Sequence, residues 1–242
     1  MMSLPNFSAV ISALGQVGLA ARGGFAPEDS DGVPKLSDGQ SAAFVVLAGN
    51  VGPAMWQTFS QSPEFSDQHA AALDRWSHRV LNDVAIQFGG VGVCETIFPF
   101  EGPPHYPFQR WAQRADTVFP SPTGPLIHPE YGLWHAYRGA LVFSAPVVSP
   151  PKVVTASPCD TCDDQPCLTA CPVDAFTVTD YNVMACVTQL ASFAGVDCNQ
   201  AGCLARRACP VGQDYLYAAE QAAFHTAAFV KSTLLSTPED PS

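Results

Sequence analysis

Eight of the nine cysteines fall between Cys159 and Pro210, and their spacing is the strongest chemical signal in the chain. A first group reads Cys159-Asp-Thr-Cys162-Asp-Asp-Gln-Pro-Cys167-Leu-Thr-Ala-Cys171-Pro172, which is C-x2-C-x4-C-x3-C-P. A second reads Cys198-Asn-Gln-Ala-Gly-Cys203-Leu-Ala-Arg-Arg-Ala-Cys209-Pro210, and Cys186 lies alone between them. Eight thiolates are what two cubane iron–sulfur clusters require. In the bacterial run C-x2-C-x2-C-x3-C-P the fourth cysteine ligates the other cluster, because three close thiolates already surround one face of a cubane. The first group follows that logic with a looser middle spacing, and the second closes on its own Cys-Pro. Zinc is the competing use of eight cysteines. Structural zinc sites pair them as C-x2-C…C-x2-C, and only Cys159–Cys162 forms such a pair. A disulfide framework fits less well, since the count is odd, the spacing tight and no secretory signal visible.

The cysteine module takes up less than a third of the 242 residues. The stretch before it is long enough to bury a core of its own. We therefore expect an α/β domain over residues 1–150 and a cysteine-rich domain over 151–242 that ends in a helix. Phe7, Val10, Ile11, Leu14 and Val17 recur at helical spacing, with Gly23 and Gly24 read as the stop. Residues 27–40 read as a polar loop, and Ala42–Ala48 as a buried strand running into a tight turn at Gly49–Pro53. Leu73, Trp76, Val80, Val84 and Phe88 mark one face of a long helix. Val91–Phe98 reads as a strand whose Cys94 is a small apolar core side chain.

A short helix is expected around 107–115, then two strands between Leu126 and Phe143 joined by a turn at Pro129–Gly132. Alternation of helices and strands through residue 150 predicts an α/β sandwich with a mixed sheet. Inside the module, 173–178 reads as extended, Val183–Phe193 as a helix carrying Cys186, and Leu204–Ala208 as a helical turn. A last helix is expected over 215–235, followed by an acidic tail.

Net charge is −11, with only 11 Lys and Arg to build a basic face. Nucleic acid is therefore not expected as a partner, and the one adjacent basic pair, Arg206–Arg207, reads as locally hydrogen-bonded. No apolar run reaches the length of about 18 residues that a membrane helix needs, so no membrane association is expected. Reduced thiols and the lack of a visible signal peptide imply a cytoplasmic location.

Three landmarks in order are the double cysteine group with a lone helical cysteine, the short helix Gln109-Arg-Trp-Ala-Gln-Arg114, and Leu126-Ile-His-Pro-Glu-Tyr-Gly-Leu-Trp134. Together they resemble the epoxyqueuosine reductases and the related cobalamin-dependent reductive dehalogenases, most closely over residues 105–210. The resemblance implies an N-terminal α/β sandwich of nitroreductase type that holds cobalamin, or flavin. A ferredoxin-like domain with two [4Fe–4S] clusters would deliver the electrons. Carried over by position, it assigns Cys159, Cys162, Cys167 and Cys209 to one cluster, and Cys171, Cys186, Cys198 and Cys203 to the other. The crossing agrees with a Cys-Pro cysteine that turns away from its own group.

The chain departs from the family in four places. The Cys162–Cys167, Cys198–Cys203 and Cys203–Cys209 spacings are each two residues longer than the family's. Pro104 aligns with the family's catalytic aspartate, and Asp116–Gly124 replaces its glycine-rich segment. The helical-repeat extension of many epoxyqueuosine reductases is not found after the module. The chain is read as a divergent relative, and reduction of a tRNA base is not expected.

His105, next to Pro104, is the one candidate for a substitute proton donor, although a surface-bonded loop histidine is the commoner case. Trp134 and Tyr137, with Trp111 and Tyr131, are candidates to wall a flat cofactor, although such aromatics are more often core. His128 and His135 read as hydrogen-bonded strand histidines rather than ligands. Two functions remain open. One is a reductase in which a redox partner protein feeds the clusters and a small-molecule substrate is reduced at cobalamin or flavin. The other is a ferredoxin-type carrier without a catalytic site of its own.

Overall fold

In the computed structural model, which describes residues 6–177 and 179–236, the chain divides into two compact units. The first comprises residues 1–118 and 135–155; the second comprises 119–134 and 156–242. Expectations for the acidic tail fall outside the described residues.

The first unit is a four-stranded antiparallel sheet with helices packed on it. In chain order it contains α1 (Phe7–Gln16), β1 (Ala20–Phe25), β2 (Phe44–Val51), α2 (Ala54–Phe59), α3 (Pro63–Ser66), α4 (Ala72–Gln87), β3 (Cys94–Ile97), α5 (Phe108–Ala115) and β4 (His135–Phe143). Sheet order is β1-β2-β4-β3, with every neighbouring pair antiparallel. The expected mixed sheet is thus corrected. β2 is buried from Val45 to Asn50 on both faces, as its continuous apolar run suggested. Neighbouring side chains of β4 point to opposite faces. Arg138 reaches Asp74 and Ser77 of α4, and Tyr137 reaches Asp116 at the end of α5.

Two local expectations fail for identifiable reasons. Gly23 and Gly24 do not stop α1, which ends at Gln16; they form a bulge inside β1. Gly23 has φ +73, and a Cβ there would lie 2.0 Å from the Ala115 carbonyl oxygen, so the glycine lets β1 press against the end of α5. β1 itself (AARGGF) lacks the β-branched residues that announce a strand. The Gly49–Pro53 turn is also shorter than expected, because Gly49 to Val51 complete β2 against Tyr137, Ala136 and His135.

Cys94 faces the core at 1% exposure, and burial pushes its thiol up to about 12. This is the inert core thiol expected of it.

The second unit is made of short helices and loops: α6 (Pro166–Thr169), α7 (Val183–Ala191), α8 (Val196–Ala201), α9 (Leu204–Ala208) and α10 (Ala219–Ser236). The two strands expected between Leu126 and Phe143 reduce to one, β4. Residues before it form only isolated bridges, Phe119 with Ile127 and His128 with Gly132. The turn at Pro129–Gly132 is present, closed by reciprocal His128–Gly132 backbone bonds of 2.9 Å. Among the described residues no helix is long and apolar enough to cross a membrane.

Candidate metal centre

The first cysteines are positioned by a single 3-10 turn. Ser157 caps it by accepting from the Cys159 N–H at 3.2 Å, and the Cys162 N–H returns to the Cys159 carbonyl at 3.3 Å. Gln165 takes a left-handed φ of +37, and Pro166 opens α6, whose first turn carries Cys167. The fourth member comes from the other end of the module. Cys209 follows α9 and is buried beside Ile127 and Leu133. Cys159, Cys162, Cys167 and Cys209 line one tight cavity of about 20 Å³, together with Pro122, Pro158 and Val211.

Cys171, although it ends the first sequence group, lies elsewhere. Its sulfur accepts the Ala175 N–H at 3.3 Å. Cys186 sits on the first turn of α7, which Asn182 caps by accepting from the Ala185 N–H at 2.9 Å. Cys198 lies in α8, and Cys203 occupies the N-cap of α9. Cys171, Cys186, Cys198 and Cys203 line a second cavity of about 440 Å³. Its other walls include Trp134, Tyr181, Leu190, Ala222, His225 and Phe229.

The longer spacings now have a structural account. The five residues between Cys203 and Cys209 are α9 itself, one turn that sends its two flanking cysteines to different cavities. The residues between Cys162 and Cys167 supply the Gln165–Pro166 turn that starts α6. Gly202, with φ +86, closes α8 by donating to the Cys198 carbonyl at 3.0 Å before Cys203.

All nine cysteines are free. Burial pushes the Cys159, Cys167, Cys186, Cys203 and Cys209 thiols up, and neighbouring cysteines of the same quartet add to the rise. Hydrogen bonds work against burial: the Ser157 hydroxyl at Cys159, the Tyr181 hydroxyl at Cys186, the Ala205 and Arg206 amides at Cys203, and the Val211 amide at Cys209. Thiols held neutral by desolvation release their protons when a cation binds, so metal loading is linked to proton release. Among the described residues no three His, Cys, Asp or Glu side chains converge on a point that would hold a single metal ion. Each quartet instead lines a cavity of its own. Four thiols in each quartet match the donor set of a cubane, and the Ala175 amide reaches one of the sulfurs, that of Cys171.

The remaining candidate residues separate. Trp134 is 1% exposed and belongs to the second unit, where it walls the larger cavity. The Arg206 guanidinium lies 4.4 Å from its ring centroid and 4.4 Å from that of Tyr217, and donates to the Leu133 carbonyl at 3.1 Å. Tyr137 belongs to the first unit. The Tyr137 hydroxyl donates to Asp116 at 3.0 Å, and Asp116 pairs with buried Arg22 at 2.6 Å. Burial holds that phenol far above its ordinary value, as a fixed donor.

His105 is an exposed loop residue beside Gly102. His128 accepts from the Glu130 and Tyr131 amides through Nδ1 and stacks on Tyr131 at 4.1 Å, which makes it a turn residue. His135 is buried on β4 beside Tyr137, and Trp111 is core, donating to the Asp31 carbonyl at 2.8 Å. Arg207 bonds locally to the Gly202 carbonyl and Asp197, as expected. Tyr181 and Ser157 were missed. The signal for each was adjacency, Ser157 as an N-cap before Cys159 and Tyr181 just ahead of the N-cap of α7.

No protein-family model matches the chain, and no curated protein matches it in sequence. Solved structures do. The C. elegans B12-trafficking protein CblC, a homologue of human MMACHC, is similar over 93% of this chain and 92% of its own, at 14% identity and a TM-score of 0.52. An epoxyqueuosine reductase aligns over 90% of this chain and 68% of its own, at 14% identity and a TM-score of 0.48. The epoxyqueuosine reductase from Streptococcus thermophilus aligns over 86% and 66%, at 13% identity and 0.49. This chain thus spans about two thirds of the length of those reductases. The likeness to CblC shows a shared fold in outline.

Proposed function

We propose that this chain is an iron–sulfur redox protein whose second unit is a ferredoxin-like domain holding two [4Fe–4S] clusters. Cys159, Cys162, Cys167 and Cys209 would hold one cluster, and Cys171, Cys186, Cys198 and Cys203 the other. The observation that carries the proposal is the sorting of eight cysteines across their two sequence groups into two quartets, each around its own cavity. When bound, such clusters supply one-electron transfer at potentials set by hydrogen bonds and exposure. The chain's own part is to present eight thiolates and to line the second quartet's cavity with the apolar Trp134, Leu190 and Phe229.

The first unit, in this proposal of nitroreductase-related type, holds the acceptor. Its shared fold with a protein named for B12 trafficking makes cobalamin the cofactor to try first, with flavin next. A redox partner protein would supply electrons, and a small molecule would be the substrate. Reduced thiols suit a cytoplasmic setting. The second reading is a ferredoxin-type carrier. It is favoured by Pro104 standing where the family's acid stands, with only an exposed loop histidine, His105, beside it.

Anaerobic purification with iron, sulfide and cobalt analysis, with and without added cobalamin, tests both. About eight irons and eight sulfides per chain are expected, and zinc in their place overturns the proposal. Stoichiometric retention of cobalamin supports the reductase. Iron without corrinoid or flavin leaves the carrier.

A further inference from the structure

We propose that the main-chain N–H of Ala175, turned onto the Cys171 sulfur by the left-handed backbone of Asp174, raises the reduction potential of the cluster held by the second quartet. The inference rests on the assignment of a cluster to Cys171, Cys186, Cys198 and Cys203, and deepens it.

The hydrogen bond is built by the residues that run on from the ligand itself. Pro172 and Val173 form a turn in which the Asp174 N–H donates to the Cys171 carbonyl at 3.1 Å. Asp174 then takes φ +47, a region that among side-chain-bearing residues Asn and Asp enter most readily. The next amide is thereby directed back along the chain, and the Ala175 N–H donates to the Cys171 sulfur at 3.3 Å. The Asp174 carboxylate is exposed and makes no hydrogen bond or ion pair among the described residues. The turn therefore uses the backbone shape of Asp174 and not its charge.

Ala175 is held from its other side as well. Its carbonyl accepts from the N–H of Asn182, the N-cap of α7, at 2.8 Å. The following residue, Phe176, bridges to Tyr181 and stacks on its ring at 4.4 Å and an interplanar angle of 9°. Ala175 is 1% exposed, and its N–H has no main-chain acceptor among the described residues. Leaving the sulfur would strand a buried donor, which is costly. The fold thus fixes this donor on the thiol through local turns. Donation to a ligand sulfur draws off negative charge and favours the more electron-rich state of the site.

The test is an EPR-monitored redox titration of the full chain, reconstituted anaerobically, in three forms. They are wild type, Asp174→Asn, and a semisynthetic chain with lactic acid in place of Ala175. The last turns the link after Asp174 into an ester, which keeps the methyl group and the carbonyl and removes only the N–H. The expected result is two one-electron midpoints in wild type, one of which falls in the ester chain. A tenfold fall in the reduction equilibrium constant corresponds to about 59 mV. The other midpoint, and the iron and sulfide content, stay at wild-type values. Asp174→Asn keeps the left-handed turn and removes a negative charge, so neither midpoint should fall; a fall there would put the effect on the carboxylate and overturn the proposal. Full iron and sulfide in the ester chain with both midpoints unmoved also overturns it, and leaves the cluster assignment standing. Iron cut to half in the ester chain overturns it too, since the amide would then hold the ligand in place without setting its potential. A wild-type chain that takes up no iron and sulfide overturns the assignment, and the role of the Ala175 amide with it.

Discussion

The two quartets share one side-chain chemistry, the thiol, and differ in what surrounds it. Cys159, Cys162, Cys167 and Cys209 close on about 20 Å³ of space, with Cys209 packed against Ile127 and Leu133. Cys171, Cys186, Cys198 and Cys203 ring about 440 Å³, walled by α7, α8 and α10. One reason is local. The first quartet takes three members from a ten-residue stretch with two proline-started turns, whereas the second takes one from a loop and three from α7, α8 and the start of α9. Ligand identity sets what can bind, and the surroundings set access, potential and lability.

Replacing cysteines should give the largest effect and can break the division outright. Cys167→Ser and Cys171→Ser lie four residues apart, yet each should cost about four of eight irons from a different cluster. Adding Cys209→Ser to Cys167→Ser should cost no further iron, whereas adding it to Cys171→Ser should remove the rest. Iron analysis with EPR decides. Loss of the same signal in both single variants would mean that the sequence groups, not the crossed quartets, are the binding units.

Gly132→Ala comes next and should act on the first quartet. Gly132 has φ +56, and a Cβ there would lie 2.0 Å from the Val211 carbonyl oxygen, two residues after Cys209. The turn must move, at a cost of about 1–3 kcal/mol in a denaturant melt, with iron lost from the Cys209 cluster first.

A subtler effect is kinetic. An iron chelator added to the loaded wild-type protein should strip the second quartet before the first, because its larger cavity admits small molecules. Time-resolved EPR distinguishes the two, and equal rates would show that cavity size does not govern access.

The smallest effect lies in the unit without quartets, and separates acid loss of iron from acid loss of fold. Arg79, hydrogen-bonded at 2.5 Å, holds the Glu64 carboxyl down from 4.5 to about 2. A depressed carboxylate stabilises the fold fully above its ordinary value and loses that contribution as pH falls towards about 2. Arg79 is half exposed, so the pair is worth no more than about 1 kcal/mol. Glu64→Gln should lower stability slightly near neutral pH and flatten its decline between pH 4.5 and about 2, read by circular dichroism. Iron released well above pH 4.5 then reports the thiolates and not this ion pair.

Much of this was legible because the signals were local. The 3.6-residue period wrote α1 and α4, and the apolar run wrote β2. The failures were non-local. AARGGF becomes β1 only because β2 offers it an edge and α5 needs the room left by Gly23. Trp134 and Tyr137 are three residues apart in sequence but serve different units, since the chain passes from one to the other at Trp134. Residues 119–134 carry no strand period that would assign them to the cysteine unit. They join it through contacts such as Ile127 and Leu133 against Cys209.

The sequence by itself determined which thiols are present and how they are spaced, because thiol number and spacing are covalent facts of the chain. It also determined the helices, whose hydrogen bonds close within a few residues. Tertiary structure alone decided how much space each quartet encloses and which side chains from distant segments wall it. Those depend on packing between segments distant in sequence, and packing is written in no single stretch of it.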